Sequence, residues 1–432
     1  MLRFAPSPTC DMHIGDLRVA LFNYIVAKQR GEELMIRMED MDKARNIEGK
    51  DNEILDILGL FGIEYSHVLH QSEQLRYHRM MAIQLLGDKK AFNCFCTPAE
   101  LEVKRAAAKK AGEPFHYDGR CSHLAPEQII DNENPFTIRL HQPEAAIIIN
   151  DLIKGKLTFT PEEIDAFIIM SEVKFPTHNF ASAVDDMISD ISLIIRSEEQ
   201  ISDAPKQEAV RNALGYDKTM EYAHLPLILN NVGEKMSEQD EAYSVKWLLE
   251  EGYLPSAIIN YLMDLGNTTP QAVFTLEEAI ASFELSKISD SPVRFDIDEL
   301  KRINTQHLSN LDDKELSRYV GFADVAIGKV AKIYLNEAGT LKELRPKIKA
   351  IFAPKVIPAA FAKQTEIMRK VIMAAPYMEQ FDDFNTHVMR ESGLQGEDFE
   401  RALRLLLTGV DDGPDVAELY VHLKDFLGEI VK

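Results

Sequence analysis

The 432-residue chain has few cysteines, little positive charge and no long apolar run, and each shortage excludes a class of protein. Four cysteines are too few for an extracellular scaffold of this length that is held together by disulfides. No stretch of about 18 consecutive apolar residues occurs, so we expect no membrane span. The first residues, "MLRFAPSPT", lack the basic and apolar pattern of a signal peptide. We therefore expect a cytoplasmic protein that has no membrane partner.

The shortage of positive charge is uneven along the chain. With 48 Lys and Arg against 70 Asp and Glu, the net charge is −22, which argues against nonspecific binding to nucleic acid. Residues 301–432, however, carry 19 basic and 20 acidic residues. Within them, the segment 341–370 has an excess of basic side chains that includes Lys347 and Lys349. This pattern fits a solvated helix face, and it also fits a surface that contacts a phosphate backbone.

Strand and helix patterns alternate in the front part of the chain. Leu2–Ala5 predicts a strand, and a helix with apolar spacing follows from about Ile14. This order predicts a parallel sheet with crossover helices. The alternation is interrupted at residues 89–174 and resumes with the strand "DISLIIRSEE" and a helix that has Asp203 as its candidate N-cap. Because helical patterns dominate from about residue 240 onward, we expect an α/β part followed by an all-α part.

The loop after the first predicted strand, "PSPTCDMHIGDLR", has features of a nucleotide site. His13 directly precedes the first turn of a helix, where unpaired N–H groups attract phosphate. Gly15 has no side chain, which lets a flat base approach the backbone. An enzyme that activates a substrate with ATP needs this kind of positioning and charge neutralisation. Taken alone, the motif fits an ordinary loop histidine better.

Three of the four cysteines cluster in a pattern typical of a structural metal site. Cys94-x-Cys96 is followed, after a spacer, by Cys121-x-His123. Two close pairs of such ligands suit a tetrahedral zinc ion, whereas the alternative is a set of free buried thiols and a surface histidine. The spacer contains a basic helical segment suited to phosphate contacts or to plain solvent exposure, with Lys104 and Arg105.

Several motifs together identify a family. The blocks "RFAPSPT", "HIG", "LRVALFNY", "IRMEDMD", "FPTHNFASAVDD", "LIIRSEE" and "KMS" occur in the order and at the spacings of bacterial glutamyl-tRNA synthetases. The chain resembles that class I synthetase family over nearly its full length. The resemblance implies a ligase that attaches glutamate to tRNA-Glu, tRNA-Gln or both, through a glutamyl-adenylate. It also implies ATP with Mg²⁺ as cofactors, and some bacterial members carry zinc with the cysteine and histidine spacing seen here.

The resemblance also assigns roles to residues. It implies that Arg3, Ser7 and Glu39 bind the carboxylate and ammonium groups of the amino acid. Arg196, which ends a buried strand, would bind the side-chain carboxylate, because a planar guanidinium suits that contact. A structural salt bridge is the alternative for Arg196. The residues expected at the nucleotide or its transition state are His13, Gly15, Lys235, Ser237 and the substituted position Glu238.

Five positions depart from the family pattern. Cys10 stands where the family usually has glycine, and "EDMD" replaces "EDTD". His178 stands where a substrate-contacting tyrosine is usual. Glu238 and Gln239 follow "KMS", where the family has lysine and arginine. The missing lysine steadies pyrophosphate in the family, and loss of one such donor costs roughly 10²–10³ in rate. A catalytically weakened tRNA-binding paralogue or variant is therefore the alternative function.

The resemblance implies a specific domain organisation and a monomer. We expect a Rossmann-like catalytic domain interrupted by an acceptor-binding insertion and followed by a helical anticodon-binding domain. A nucleotidyltransferase with the same fold and no tRNA is disfavoured, since such an enzyme needs no anticodon-reading module. The expected boundaries are 1–88 and 175–225 for the catalytic domain, 89–174 for the insertion with the zinc site, 226–300 for a helical stem-contact subdomain with the KMS loop, and 301–432 for the anticodon-binding domain.

Overall fold

The computed structural model describes residues 1–236, 243–267, 271 and 273–432. The chain divides into two compact units. The first unit comprises Met1–Val245, Met263–Thr268 and Leu276–Phe295. The second comprises Lys246–Leu262, Thr269–Thr275 and Asp296–Lys432.

All strands of the described chain lie in the first unit. In chain order, they are Leu2–Phe4 (β1), Leu34–Met38 (β2), Val68–His70 (β3), Ala91–Cys94 (β4), Thr137–Leu140 (β5), Ile147–Asp151 (β6), Gly155–Phe159 (β7), Ile168–Met170 (β8), Leu193–Ser197 (β9), Glu221–Leu225 (β10), Ile228–Leu229 (β11) and Val293–Arg294 (β12).

Eleven helices precede residue 296 in the described residues. They are Ile14–Arg30 (α1), Lys50–Leu60 (α2), Leu75–Gly87 (α3), Pro98–Ala111 (α4), Pro126–Ile130 (α5), Pro161–Ile164 (α6), His178–Ile188 (α7), Ala204–Ala213 (α8), Val245–Glu250 (α9), Pro255–Asp264 (α10) and Leu276–Ser282 (α11).

A seven-stranded sheet forms the centre of the first unit. Its strand order is β3-β2-β1-β9-β10-β6-β7, and every pair is parallel except the β6–β7 hairpin. Strands β1 and β2 are buried along their whole length, as expected of parallel strands with both faces covered. The predicted crossover pattern is thus confirmed. From β1 the chain proceeds through α1 to β2, and from β9 it proceeds through α8 to β10, on the opposite side. The gap outside the carboxyl ends of β1 and β9 is therefore a topological switch point.

The interrupting segment contributes to two different sheets. Strands β4, β5 and β8 form a separate three-stranded antiparallel sheet. The β6–β7 hairpin instead extends the large sheet, with Asp151 as the register partner of Tyr222. The expected insertion 89–174 is thus only partly separate from the large sheet that it interrupts in sequence. Its functional boundary stays a prediction.

Predicted element starts agree closely with the structure, with one difference in mechanism. Helix α1 begins at Ile14 as expected. Asp203 stands at the N-cap position of α8, but its side chain makes no capping hydrogen bond. Its carboxylate instead accepts a hydrogen bond from Asn179 Nδ2 at 2.9 Å. Tertiary contact has replaced local capping there.

The described part of the second unit consists of helices and their connections, without a strand, which confirms the prediction for the back of the chain. None of the helices in the described residues combines the length and the apolar composition needed to cross a membrane. The helices of the second unit after residue 296 are Ile297–Asn310 (α12), Asp313–Tyr319 (α13), Val325–Ile333 (α14), Leu341–Phe352 (α15), Ala362–Ala374 (α16), Phe381–Ser392 (α17), Gly396–Thr408 (α18), Val416–Leu423 (α19) and Leu427–Ile430 (α20).

Candidate active site

A cavity of about 400 Å³ opens at the switch point between β1 and β9. Its walls come from the ends of these strands, from the loop after β1 and from the start of α7. Crevices at such points are where ligands bind in open α/β sheets. All five residues expected to contact the amino acid line this one cavity: Arg3, Ser7, Glu39, His178 and Arg196.

Arg196 lies on β9 with only 4% of its side chain exposed. Its Nε donates to His224 Nε2 at 3.1 Å, and its Nη1 donates to Gln207 Oε1 at 2.9 Å. Its buried Nη2 has no partner within the described chain. None of the ion pairs found in the described residues involves Arg196 either, so the expected alternative of a structural salt bridge is not seen there. Burial lowers the pKa of Arg196 to about 10, which leaves the group charged at neutral pH.

A buried charge cluster supports the floor of the cavity. Arg3 Nε lies 3.1 Å from Asp186 Oδ1, and Arg37 also pairs with Asp186. Burial alone raises the pKa of Asp186, but Arg3 and Arg37 outweigh that effect and hold it far below its usual range. Arg37 also contacts Glu39, at 3.0 Å. Asp186 therefore fixes the two arginines, and Arg37 in turn fixes Glu39.

Glu39 is the junction between this cluster and the cavity. Its Oε1 accepts hydrogen bonds from Arg37 and from Ser182 Oγ, the latter at 3.3 Å. Its Oε2 lies 3.5 Å from His178 Nδ1. The side chain of His178 is about half exposed, whereas that of Glu39 is mostly buried. The substitution of tyrosine by His178 thus gives Glu39 an imidazole neighbour at the cavity mouth.

A smaller cavity of about 150 Å³ adjoins the first, and the two share Asp16, Val19, Ser197 and Glu199 in their walls. The expected nucleotide residues His13, Gly15 and Lys235 line it. Ser237 and Glu238, together with Gln239, lie outside the described residues. The structure therefore brings together the described members of the predicted nucleotide site.

His13 organises the start of α1. Its Nδ1 accepts a hydrogen bond from the Gly15 N–H at 3.3 Å, and its own N–H donates to Asp16 at 3.1 Å, which is a reciprocal capping pair. A Cβ added to Gly15 would meet only His13 Nδ1, at an ordinary contact distance of 3.6 Å. The fold thus has room for a methyl group at Gly15, so protein packing alone does not require a glycine at this position.

The three clustered cysteines meet in the structure as predicted. Cys94, Cys96 and Cys121 are buried, and their sulfur atoms all lie within 4.8 Å of one another. The Cys96 and Cys121 sulfurs are 3.7 Å apart. Zn–S bonds of about 2.3 Å in a tetrahedron place sulfurs about 3.8 Å apart, so this spacing fits zinc.

The fourth metal ligand stays a prediction, and the structure offers a second candidate beside His123. His123 is exposed and does not join the cluster. Tyr117 Oη lies there instead, 3.4 Å from Cys94 Sγ and 3.5 Å from Cys96 Sγ. The 3-10 turn at Arg120–His123 directs Cys121 inward and leaves His123 outside. Tyr117 was not predicted, although its position four residues before Cys121 was visible in the sequence.

Two arginines contact the sulfurs. Arg139 Nε donates to Cys94 Sγ at 3.3 Å, and Arg120 Nη2 donates to Cys96 Sγ at 3.3 Å. Burial raises the pKa of Cys94, but hydrogen bonds from Tyr117, the backbone and Arg139 outweigh it and bring the pKa down to about 7. Burial, with the neighbouring Cys94 and Cys121, instead raises the pKa of Cys96. Cys94 is therefore the cysteine whose surroundings favour thiolate, which is the form that binds metal.

The four basic residues expected to contact tRNA lie on two helices. Lys104 and Arg105 are on α4, where they pair with Asp118 and Glu102. Lys347 and Lys349 are on α15; Lys349 is exposed, and Lys347 lies 2.9 Å from Glu337. Because three of the four have carboxylate neighbours, the local positive potential is smaller than the residue count suggests.

Comparison with known proteins agrees with this site. A family described as "tRNA synthetases class I (E and Q), catalytic domain" matches residues 1–302. The site and fold thus define a class I aminoacyl-tRNA synthetase. Curated relatives are more specific: "Glutamate--tRNA ligase 2" of Sulfurimonas denitrificans is 60% identical and "Glutamate--tRNA ligase 1" of Nitratiruptor sp. is 50% identical, each over 432 residues and 100% of both chains. The chain belongs to the glutamate–tRNA ligase family.

A solved structure supports the same assignment. The crystal structure of a glutamate tRNA ligase from Elizabethkingia meningosepticum, in complex with its amino acid, superposes with a TM-score of 0.84. It is 26% identical and covers 100% of this chain and 98% of that one. The similarity therefore extends over the whole length and includes the helical part.

Proposed function

We propose that the protein joins glutamate to tRNA in two steps, first forming glutamyl-adenylate from ATP and then transferring the glutamyl group. The observation that carries this proposal is the unpartnered Nη2 of buried Arg196 at the amino-acid cavity. A buried charge without a counter-charge is costly, and a substrate carboxylate supplies that counter-charge. Glutamate has the carboxylate, whereas the amide of glutamine carries no charge.

We assign the remaining amino-acid contacts on the same basis. Arg3 and Ser7 suit the α-carboxylate, because one offers a guanidinium and the other a hydroxyl at the same wall. Glu39 suits the ammonium group, since it is a carboxylate of the cavity wall that Arg37 and Ser182 hold in place. His178, whose Nδ1 lies 3.5 Å from Glu39 Oε2, would help to orient the Glu39 carboxylate.

ATP is assigned to the smaller cavity, where Gly15 leaves room for the base and the start of α1 offers N–H groups to phosphate. Mg²⁺ bound with the triphosphate would supply charge neutralisation for adenylate formation. The chain's own contributions are His13 at the helix start and Lys235 at the cavity wall. Ser237 is included from the sequence pattern.

We also propose a structural zinc ion held by Cys94, Cys96, Cys121 and Tyr117. The support is the sulfur spacing, the phenolic oxygen at the fourth position and the two arginine donors. The role is local folding of the segment that begins at β4. The proposal includes contacts with tRNA by Lys104, Arg105, Lys347 and Lys349. It also includes a monomeric state, a cytoplasmic location and the five residue ranges given above as functional domains.

One sequence feature supports a second candidate function. Glu238 adds negative charge where a triphosphate is expected, so a synthetase-like protein that binds tRNA but hardly activates glutamate is the alternative. The distinguishing measurement is glutamate-dependent exchange of pyrophosphate into ATP, with tRNA present and with tRNA absent. Exchange with glutamate and none with glutamine supports the ligase. Glutamate binding without any exchange, in both conditions, supports the alternative.

A further inference from the structure

Behind Arg196 lies a buried pair of residues that none of the assigned roles uses. His224 on β10 is the register partner of Arg196 on β9, so the two side chains share one face of the sheet. His224 is fully buried, and Asp151 at the end of β6 is 6% exposed. The three side chains form a row across neighbouring strands, with Arg196 at the cavity end.

The hydrogen-bond direction fixes where the proton of His224 resides. Arg196 Nε can only donate, and it lies 3.1 Å from His224 Nε2. His224 Nε2 must therefore be unprotonated, and the imidazole proton is on Nδ1. That nitrogen lies 2.6 Å from Asp151 Oδ2, to which it donates. Burial lowers the pKa of His224, which also favours the neutral ring.

Asp151 is itself held in one orientation. Its Oδ1 accepts hydrogen bonds from the backbone N–H groups of Ile153 and Lys154, at 2.9 and 2.8 Å. The backbone N–H of His224 donates to Oδ2 at 3.1 Å. Burial raises the pKa of Asp151, but the hydrogen bonds from His224 and the two backbone groups outweigh it and lower the pKa. Asp151 is therefore an ionised acceptor.

We infer that Asp151 and His224 are positioning residues for glutamate recognition: Asp151 keeps His224 in the Nδ1–H tautomer, and the bare Nε2 holds the guanidinium of Arg196 in place at the cavity wall, with Nη2 left unpartnered for the substrate. This inference rests on the proposed function, because Arg196 acts there on the side-chain carboxylate. The direct neighbours of Arg196, His224 and Gln207, are neutral acceptors. They orient the cation without neutralising it, so its charge remains available to discriminate glutamate from glutamine.

Gln207 completes the arrangement from the other side. Its Oε1 accepts from Arg196 Nη1, and its Nε2 donates to Asn179 Oδ1 at 3.2 Å. Asn179 Nδ2 in turn donates to Asp203. The amide of Gln207 therefore has its oxygen towards Arg196, and both neighbours present acceptors to the guanidinium.

Asp151→Asn tests the tautomer with almost no change in shape. The two backbone N–H groups hold the amide oxygen at the Oδ1 position, so the amide nitrogen faces His224 Nδ1. The imidazole proton must then move to Nε2, where it opposes the Nε–H of Arg196. We expect glutamate affinity, measured by calorimetry on the full chain, to fall at least about tenfold, or about 1.4 kcal/mol. Affinity for ATP should stay close to that of the wild type, whereas the free energy of unfolding should fall, because Asp151 is a buried ionised acceptor.

A second pair of variants separates positioning from packing. His224→Gln places an amide oxygen near the former Nε2, so it restores the acceptor for Arg196. His224→Asn mimics Nδ1 and keeps the contact with Asp151 but does not reach Arg196. We expect His224→Gln to bind glutamate within about threefold of wild type, and His224→Asn to lose at least about tenfold and to discriminate less against glutamine. This pair also decides the matter if Asp151→Asn does not fold.

The tautomer itself can be observed without any substrate. Nitrogen–proton correlation spectra of ¹⁵N-histidine-labelled protein should show one of the 12 histidines with a protonated Nδ1 and a bare Nε2, and His224→Gln should remove that signal. A proton on Nε2 of His224, or a doubly protonated ring at neutral pH, would overturn the inference. So would a wild-type chain that binds glutamate no better than His224→Asn and Asp151→Asn. If the wild type binds no glutamate, the proposed function fails, and the substrate part of the inference fails with it.

Discussion

The ammonium group of Lys235 lies 2.6 Å from Glu199 Oε1 at the wall of the smaller cavity. Both side chains are partly exposed, so the ion pair is weak and exchangeable. A triphosphate that binds there must nevertheless compete with Glu199 for the lysine. Glu238 and Gln239 stand where the family pattern has a lysine and an arginine, so the loop lacks two further cations for the triphosphate.

Restoring the loop charge should accelerate adenylate formation. Glu238→Lys together with Gln239→Arg should raise the rate of glutamate-dependent pyrophosphate exchange by at least about 10²-fold, the scale of one electrostatic stabiliser. Glu234→Lys, a charge reversal at an exposed position just before Lys235, is the matched control and should have a much smaller effect. If the double variant is no faster than the wild type, Glu238 does not impair catalysis.

Removing zinc ligands should distinguish Tyr117 from His123. Elemental analysis of freshly purified protein should give about one zinc per chain, and Cys121→Ser should lose it and make residues 89–130 sensitive to protease, because metal binding is local folding free energy. Tyr117→Phe should weaken zinc retention against a chelator, whereas His123→Ala should not. Zinc loss in His123→Ala with full retention in Tyr117→Phe would restore His123 as the ligand.

A methyl group at Gly15 should affect the nucleotide and not the fold. Because the added Cβ meets only an ordinary contact, Gly15→Ala should unfold at the same temperature or slightly higher. Its affinity for ATP should fall at least about tenfold if a base occupies that space. Gly59→Ala, in the last turn of α2 with no atom within 4 Å of the new Cβ, is the matched control and should bind ATP normally. Unchanged ATP affinity in Gly15→Ala would contradict the assignment of the ATP base to the space beside Gly15.

Breaking the buried charge cluster should cost stability in a pH-dependent way. Asp186→Asn leaves Arg3 and Arg37 without their shared carboxylate, so we expect a loss of about 3–5 kcal/mol in the free energy of unfolding. Since the folded-state pKa of Asp186 is lowered, its contribution is fully present above the unfolded value of about 3.9 and is lost as the pH falls below it.

Denaturant titrations of the wild type and Asp186→Asn at several pH values measure this difference. It should be constant from about pH 5 to pH 8 and should shrink below about pH 4. Asp190→Asn, at an exposed surface pair with Lys218, is the control and should leave the unfolding midpoint nearly unchanged. A difference that grows as the pH falls would contradict the assigned role of Asp186.

The sequence predicted the sheet, the helical second part and the grouping of the site residues. The sheet and the helices could be predicted because hydrophobic periodicity depends on local sequence. The site residues were grouped by the family resemblance of their motifs, and their roles stay predictions, although the described ones line the two adjoining cavities. The sequence could not predict which residues stand behind Arg196. His224 and Asp151 are 73 positions apart and meet only because β6 joins the large sheet beside β10.

The arrangement around the three cysteines was hidden from the sequence for a different physical reason. Two C-x-[CH] pairs are symmetrical in sequence, so His123 was the natural fourth ligand. In the structure, the turn after Gly119 exposes His123, and Tyr117 reaches the sulfurs from the preceding segment. Side-chain direction within a short turn is set by backbone geometry that residue spacing does not reveal.

The central claim is that Arg196 binds the side-chain carboxylate of glutamate. Calorimetric titration of glutamate into wild type and Arg196→Ala tests it most directly, with Arg30→Ala, at a surface pair with Glu221, as the control. Removing one partner of a buried charge pair costs at least about 2 kcal/mol, so Arg196→Ala should bind glutamate at least about 30-fold more weakly while its ATP affinity is kept. Equal glutamate affinity in Arg196→Ala and wild type would contradict the account.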